Sequence, residues 1–165
     1  MHTTYTVKTV SVSVSEHPSP QADDVTFPRC NQPINAVLIV RHLLADLDAD
    51  QEHFLLITLD AKHRFSGFKV LSSGTETQCP VSPARLFRAA LALDGTGIII
   101  AHNHPSGDVE PSLDDLELTR RIAQGARLVG LDLLDHVIVP SPTPTNANTW
   151  TSVCNRRPDV FSTGS

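Results

Sequence analysis

The feature that most constrains the fold is a short, wholly apolar segment, GIIIA, at residues 97–101. A run of this length, bounded by polar residues, predicts a strand buried on both faces, and such strands lie inside a covered sheet. Sequences with helical periodicity flank it, SPARLFRAALALDG before and SLDDLELTRRIAQGARLVG after. The centre of the chain is therefore predicted to pack one sheet between helices.

The two flanking helices carry recognisable start and stop signals. In the first, Ser82 stands at a capping position, Pro83 takes the first helical position, and Gly95 follows the end. The second helix is predicted to turn four apolar side chains inward: Leu116, Ile122, Ala126 and Val129.

Further elements are predicted on both sides of this centre. PINAVLIVRHLLADLDAD indicates a helix capped by Asn35, two strands follow at Glu52–Leu59 and Phe65–Leu71, and LDLLDHVIV indicates a last strand. The inward stripe predicted for the first helix is Val37, Val40, Leu44 and Leu47. This order of elements predicts an α/β fold of the α+β type, with a central mixed sheet flanked by helices.

The two ends of the chain differ from the centre in composition. Residues 1–32 are rich in Ser, Thr and Pro, although the alternation in TVSVSVS favours an edge strand through Val10, Val12 and Val14. We predict one domain over residues 33–153, irregular structure from Pro140 onward, and a C-terminal tail at 154–165.

Composition narrows the function classes. The 165 residues suit a single domain, and a net charge of −5 without a basic block argues against direct nucleic-acid binding. No apolar run approaches the roughly 20 residues of a membrane helix, and the N-terminus does not resemble a signal peptide. Three scattered cysteines predict no disulfide framework. Together these features favour a cytoplasmic protein.

The segment after GIIIA carries the candidate chemistry. His102 and His104 stand two apart, so both leave the same face if the strand continues, and Ser112 and Asp115 stand three apart at a helix start. Two imidazoles and a carboxylate are the ligand types of catalytic zinc sites, which leave a fourth position for water. Zinc lowers the pKa of that water to roughly 7, and a nearby Glu can take its proton.

Simpler interpretations remain open for each part of this pattern. Ser112 and Asp115 also fit a capping box, which is compatible with metal binding, and a His-x-His pair often belongs to an ordinary polar loop. The neighbouring acids Asp108, Glu110 and Asp114 are expected to be solvated. The joint spacing H-x-H, seven residues, S-x-x-D, with a strand before and a helix after, favours a metal site.

The spacing H-x-H-x7-S-x-x-D resembles the metal motif of the JAMM (MPN-plus, JAB) metallopeptidases. The fuller pattern, AHNHPSG with Pro111-Ser112, Asp115 and Thr119, followed by LDHVIV, resembles the RadC-like branch of that family. The resemblance runs from about residue 35 to 152 and includes EHFLLITLD and VSPARLFRAAL. It implies a three-layer fold of the JAMM, cytidine-deaminase-like type.

The resemblance also implies roles for individual residues. One zinc ion per chain would be held by His102, His104 and Asp115, with Ser112 supporting the oxyanion and Glu52 activating the water. Spacing alone does not choose Glu52 over Glu76 or Glu110. Asp135 and His136 are expected to be structural or to support the ligands, and His53 is expected to face away from Glu52 by strand alternation.

The implied function is zinc-dependent hydrolysis of an amide bond, peptide or isopeptide, in a protein or peptide substrate. Two alternatives are a DNA-repair-associated accessory protein and a catalytically idle binding module. Full RadC proteins carry a helix-hairpin-helix-like region before this domain, and we expect the 32 or so residues before the first helix, which are few and rich in Ser and Pro, not to form it. The ending NTWTSV departs from the family's usual aromatic-x-Ser, and the sequence indicates no oligomeric state.

Overall fold

The computed structural model describes residues 27–74, 81–141 and 148–162. The described elements follow the predicted order, with short additions at the C-terminal end. They are α1 (Pro33–Leu44), β1 (Glu52–Leu59), β2 (Phe65–Gly74), α2 (Pro83–Ala92), β3 (Gly97–His104), α3 (Leu113–Leu128), β4 (Asp132–Pro140), β5 (Thr151–Ser152), α4 (Val153–Arg156) and a 3-10 turn (Pro158–Val160).

One mixed sheet of five strands organises the chain. The strand order is β2-β1-β3-β4-β5, so the apolar strand β3 lies in the middle, as predicted. β3 pairs antiparallel with β1 and parallel with β4, and α3 makes the crossover that a parallel pair requires. The predicted fold class, a central mixed sheet flanked by helices, is confirmed.

Each face of the sheet buries its own apolar core. On one face, α1 packs over alternate residues of the strands, among them Leu55, Ile57 and Ile99. On the other face, α2 and α3 pack over the intervening residues, such as Leu56 and Ile100. Strand β3 is buried on both sides because its alternate side chains enter the two cores in turn.

Helix caps and inward positions differ from the prediction in three places. Helix α1 begins at Pro33 with Gln32 as its N-cap, because proline fits the first helical position, and the Asn35 side chain donates to the Arg29 carbonyl at 2.6 Å instead of capping. Ser82 occupies the N-cap of α2, but its hydroxyl makes no capping hydrogen bond. Val129 follows the end of α3 and is 41% exposed, so it is not an inward residue.

Strand ends and the C-terminal region also depart from the prediction. β2 extends past Leu71 to Gly74. The region predicted to be irregular contains β5 and α4, and Val153 and Val160 pack against Leu116 and Ile138 of the domain. The edge strand predicted at residues 10–14 lies outside the described residues. No described helix is both long and apolar enough to cross a bilayer.

Candidate metal centre

The histidine pair lies where β3 leaves the sheet. The extended backbone continues through His104, so His102 and His104 project from the same face, the one covered by α2 and α3. His102 is fully buried and His104 is half-buried. The chain turns away immediately afterwards through Gly107, whose φ of +85° is a conformation that glycine adopts without strain.

The start of α3 brings Asp115 to the same place. Ser112 and Asp115 form the predicted capping box: the Ser112 hydroxyl accepts from the Asp115 amide at 3.1 Å, and Asp115 Oδ2 accepts from the Ser112 amide at 2.8 Å. The Ser112 hydroxyl also donates to Asp115 Oδ2 at 2.6 Å. The other carboxylate oxygen, Oδ1, lies 3.5 Å from His102 Nε2. The cap therefore orients the carboxylate with one oxygen toward the histidine pair.

The two histidines meet through their Nε2 atoms. These atoms are 2.8 Å apart, and His104 Nδ1 lies 2.6 Å from the carbonyl oxygen of Asp108. A carbonyl only accepts hydrogen bonds, so His104 carries a proton on Nδ1, and in the neutral ring Nε2 is an electron-pair donor. Zinc bonds of about 2.0–2.1 Å in a tetrahedron separate ligand atoms by about 3.3 Å. The observed separations of 2.8 and 3.5 Å lie on either side of that value.

A second histidine contact raises the question of which residues form the ligand set. Within the described residues, donors of His102, Asp115 and His136 all lie within 4.8 Å of one another, with His136 in place of the expected His104. His136 Nε2, however, lies 2.9 Å from His102 Nδ1, on the opposite edge of the ring from Asp115 and His104. An ion that bridges His102 Nε2 and Asp115 Oδ1 would lie at the ring edge that faces His104 Nε2, whereas His136 meets the other edge of the ring.

Burial controls the charge of this cluster. Burial lowers the pKa of His102 well below its usual value, and the nearby His136 and His104 lower it further, while Asp115 opposes them. Burial likewise lowers the pKa of His136 to about 4. For Asp115, burial favours the neutral acid, but His102 and the hydrogen bonds from Ser112 outweigh it and lower the pKa. At neutral pH the cluster is two neutral buried imidazoles beside a carboxylate.

Glu52 begins β1 at the same end of the sheet. The antiparallel register of β1 and β3 ends with the pair Phe54 and His102, and alternation places Glu52 on the same face of β1 as Phe54, the face that carries the histidine pair. The Asn103 side chain fixes this end of β1: its oxygen accepts from the His53 amide at 2.8 Å, and its nitrogen donates to the Gln51 carbonyl at 2.8 Å. Asn103 thus holds both neighbours of Glu52 and so positions the start of β1.

His53 and Asp135 lie away from the histidine pair. His53 is buried, and its ring contacts the Ser73 hydroxyl and the Asp48 carbonyl at 2.8 and 2.7 Å. The Asp135 carboxylate accepts from the amides of His136 and Cys154 and from the Ser152 hydroxyl. Asp135 therefore ties β4 to the C-terminal elements. Burial, the largest influence on its carboxyl group, raises its pKa.

Sequence reasoning assigned no role to Asn103 or Thr119, although both occur in the quoted motif. Thr119 lies one helical turn after Asp115, and its hydroxyl contacts the Asp115 carbonyl and His136 Nδ1. The i, i+4 spacing of Asp115 and Thr119 signals a shared helix face. Alternation along β3 places Asn103 on the face opposite the histidines, which is where its contacts lie.

A cleft of about 380 Å³ lies on the opposite face of the sheet, beside the start of α1. Ile99 and Asp135 line it, as do both described cysteines, Cys30 and Cys154. Burial raises the pKa of the Cys30 thiol to about 11, so this thiol is protonated at neutral pH. Among the described residues, the side chains that are grouped closely enough to hold a metal ion are His102, Asp115 and His136. They lie beside the histidine pair and not in this cleft.

The sequence matches the RadC-like JAB domain over residues 30–153, a range that contains both histidines, the capping box and His136. The chain belongs to the RadC-like JAB domain family.

Its relatives in this family carry the name UPF0758 protein. One from Trichormus variabilis is 42% identical over 109 residues, covering 66% of this chain and 45% of the relative. One from Gloeothece citriformis is 37% identical over 128 residues, covering 78% and 52%, respectively. One from Desulfitobacterium hafniense is 35% identical over 121 residues, covering 73% and 52%. The chain spans about half the length of the relatives it matches.

The lowered histidine pKa values predict that the metal-free protein loses stability in acid. Unfolded His136 binds a proton below about pH 6.5, whereas the folded residue does so only near 4, so stability is lost as the pH falls through that window. Between pH 7 and pH 5, the titration of His136 alone lowers the free energy of unfolding by about 2 kcal/mol, and that of His102 lowers it further. Urea titrations with a chelator present measure this.

The matched comparison is His136→Phe, which fills similar space without a titrating ring. Its unfolding free energy should fall less between pH 7 and pH 5 than that of the parent chain. Equal losses in the two proteins would show that His136 does not titrate in this window.

Proposed function

We propose that this chain is a zinc-dependent hydrolase that cleaves an amide bond, peptide or isopeptide, in a protein or peptide substrate. The observation that carries the proposal is that His102 Nε2 lies 2.8 Å from His104 Nε2 and 3.5 Å from Asp115 Oδ1, at one end of β3. Family membership supports it, because the JAMM motif that the chain resembles is a metallopeptidase motif. Two imidazoles and one carboxylate are a donor set that suits zinc.

The three ligand residues are held before any ion arrives. Strand β3 fixes the two histidines, the carbonyl of Asp108 orients the His104 ring, and the capping box orients Asp115. Zinc bound there supplies a Lewis acid that lowers the pKa of water toward about 7 and polarises a carbonyl. Because the ligands come from a strand end and a helix start, little ordering of the chain remains to be done on binding.

Glu52 is proposed as the general base and acid. It begins β1 on the face of the sheet that carries the histidine pair, and Asn103 fixes the backbone on both sides of it. In this role its carboxylate takes a proton from the attacking water and returns it to the leaving amine. The net reaction adds water across the amide bond and yields a carboxylate and an amine.

Ser112 is proposed to support the oxyanion that forms at the substrate carbonyl. Its hydroxyl proton is donated to Asp115 Oδ2, so it must turn from that oxygen to the substrate during the reaction. The capping bond from the Asp115 amide holds the hydroxyl oxygen in place while its proton changes partner. One serine can therefore serve both the helix cap and the oxyanion.

The sign and distribution of charge favour a protein or peptide substrate over nucleic acid. The net charge of −5 disfavours a polyanion, and the exposed Glu110 near the site is paired with Arg156. Leu113, which follows Ser112, is 84% exposed and offers apolar contact beside the proposed oxyanion position.

Metal content tests the ligand assignment without a substrate. The purified chain should contain about one zinc per molecule by elemental mass spectrometry, and His104→Ala should lose it because two ligands no longer hold the ion tightly. His42→Ala, which removes an exposed histidine of α1, is the control and should keep its zinc. Chains without metal even after incubation with zinc would refute the metal centre.

Turnover tests Glu52 against Glu110, one of the two acids that spacing alone could not exclude; the other, Glu76, lies outside the described residues. On a substrate found by a peptide and isopeptide screen, Glu52→Gln should retain zinc and lose about 10²–10⁴-fold in kcat, because proton transfer is lost. Glu110→Gln, which breaks only the ion pair with Arg156, should leave kcat near the parent value. Full activity in Glu52→Gln would show that another group activates the water.

A further inference from the structure

We propose that Thr119 and His136 are positioning residues that hold His102 in the tautomer with an unprotonated Nε2, and so keep the histidine pair open to a metal ion. The inference deepens the proposed function and rests on its metal centre. It concerns two side chains outside the proposed ligand set. Its basis is a chain of three contacts that runs from α3 through β4 to β3.

The chain begins at the Thr119 hydroxyl. Its oxygen lies 2.6 Å from the Asp115 carbonyl oxygen and 2.6 Å from His136 Nδ1. A hydroxyl has one proton, and a carbonyl only accepts, so Thr119 donates to Asp115. The contact with His136 then requires Nδ1 to carry the proton and donate to the hydroxyl oxygen.

The contact between His136 and His102 then fixes the position of the proton on His102. His136 is fully buried, which keeps its ring neutral, so a proton on Nδ1 leaves Nε2 as an acceptor. That acceptor lies 2.9 Å from His102 Nδ1, which must therefore be the donor. His102 is also fully buried and neutral, so its Nε2 carries a lone pair.

The ring of His102 is also held against reorientation. Phe54 stacks on it with ring centroids 5.7 Å apart and planes only 8° from parallel. His136 packs against the same ring at 4.9 Å. The stacked Phe54 ring and the His136 contact oppose rotation of the imidazole, so His102 Nδ1 stays on the His136 side.

The proton position on His102 determines what lies between its Nε2 atom and that of His104. The Asp108 carbonyl accepts from His104 Nδ1, so in the neutral His104 ring the Nε2 lone pair faces that of His102 at 2.8 Å, and Asp115 Oδ1 lies 3.5 Å from His102 Nε2. A cation satisfies three such donors at once. If His102 instead carried its proton on Nε2, it would donate to His104, and this hydrogen bond would occupy the metal position. Thr119 and His136 prevent that bond.

Two substitutions at one position separate this role from simple packing. Thr119→Val keeps the shape and removes the hydroxyl, so His136 loses the partner that fixes its tautomer; Thr119→Ser keeps the hydroxyl. In zinc-free protein, long-range ¹H–¹⁵N NMR reads which nitrogen of His102 is protonated. The parent chain and Thr119→Ser should show the Nδ1–H form, whereas Thr119→Val should shift toward the Nε2–H form.

Zinc affinity gives the second readout, measured by competition with a chromophoric chelator. Thr119→Val should bind zinc about 10–100-fold more weakly than the parent chain, as is typical when a partner of a metal-ligating histidine is removed. Thr119→Ser should stay near the parent value. If Thr119→Val does not fold, His136→Phe against His136→Gln makes the same comparison, since the Gln oxygen can accept from His102 Nδ1 and the phenyl ring cannot.

Each outcome bears on the positioning role separately from the hydrolase proposal. A parent chain with His102 protonated on Nε2, or a folded Thr119→Val with unchanged tautomer and zinc affinity, would overturn the positioning role. A parent chain that holds the Nδ1–H form and yet binds no zinc would support the positioning role while refuting the metal centre.

Discussion

The site depends on one constraint: His102 is a polar ring with no access to solvent. Buried nitrogen atoms need hydrogen-bond partners or a metal, and this ring meets His136 on one edge and His104 with Asp115 on the other. The partners come from β4, from β3 itself and from α3. The histidine therefore links the elements of one β3-α3-β4 unit through polar contacts at the end of an otherwise apolar strand.

In the same β3-α3-β4 unit, the residues that stabilise the fold differ from those that form the candidate site. Alternation along β3 sends Ile99 and Ala101 into the α1 core and Ile98 and Ile100 into the core under α2 and α3. These cores fix the strand, and the polar residues begin only where the strand approaches the edge of the α2 and α3 layer. The capping box of α3 then serves both the helix and the site, because one Asp115 oxygen completes the cap and the other faces His102.

Much of this was predictable from local patterns, and the remainder depends on contacts between distant segments. The apolar run GIIIA, the Ser112 capping box and the Pro83 helix start are short-range signals, and the central strand and helices follow from them. Spacing could not choose Glu52, because its place at the same end and face of the sheet as the histidine pair depends on the pairing of β1 with β3. The contacts of Thr119 with His136 and of Asn103 with Gln51 likewise join residues that only the folded sheet brings together. Val153 and Val160 were missed because a two-residue strand and a single helical turn leave almost no periodicity.

The central claim is that His102, His104 and Asp115 bind one ion through the Nε2 atoms and a carboxylate oxygen. Anomalous diffraction at the zinc edge, on crystals grown with zinc, tests it most directly. The account predicts a single peak about 2.0–2.2 Å from His102 Nε2, His104 Nε2 and an Asp115 oxygen, with His136 still bonded to His102 Nδ1. A peak bonded to His136 in place of His104, or crystals without an ion at this end of β3, would contradict it.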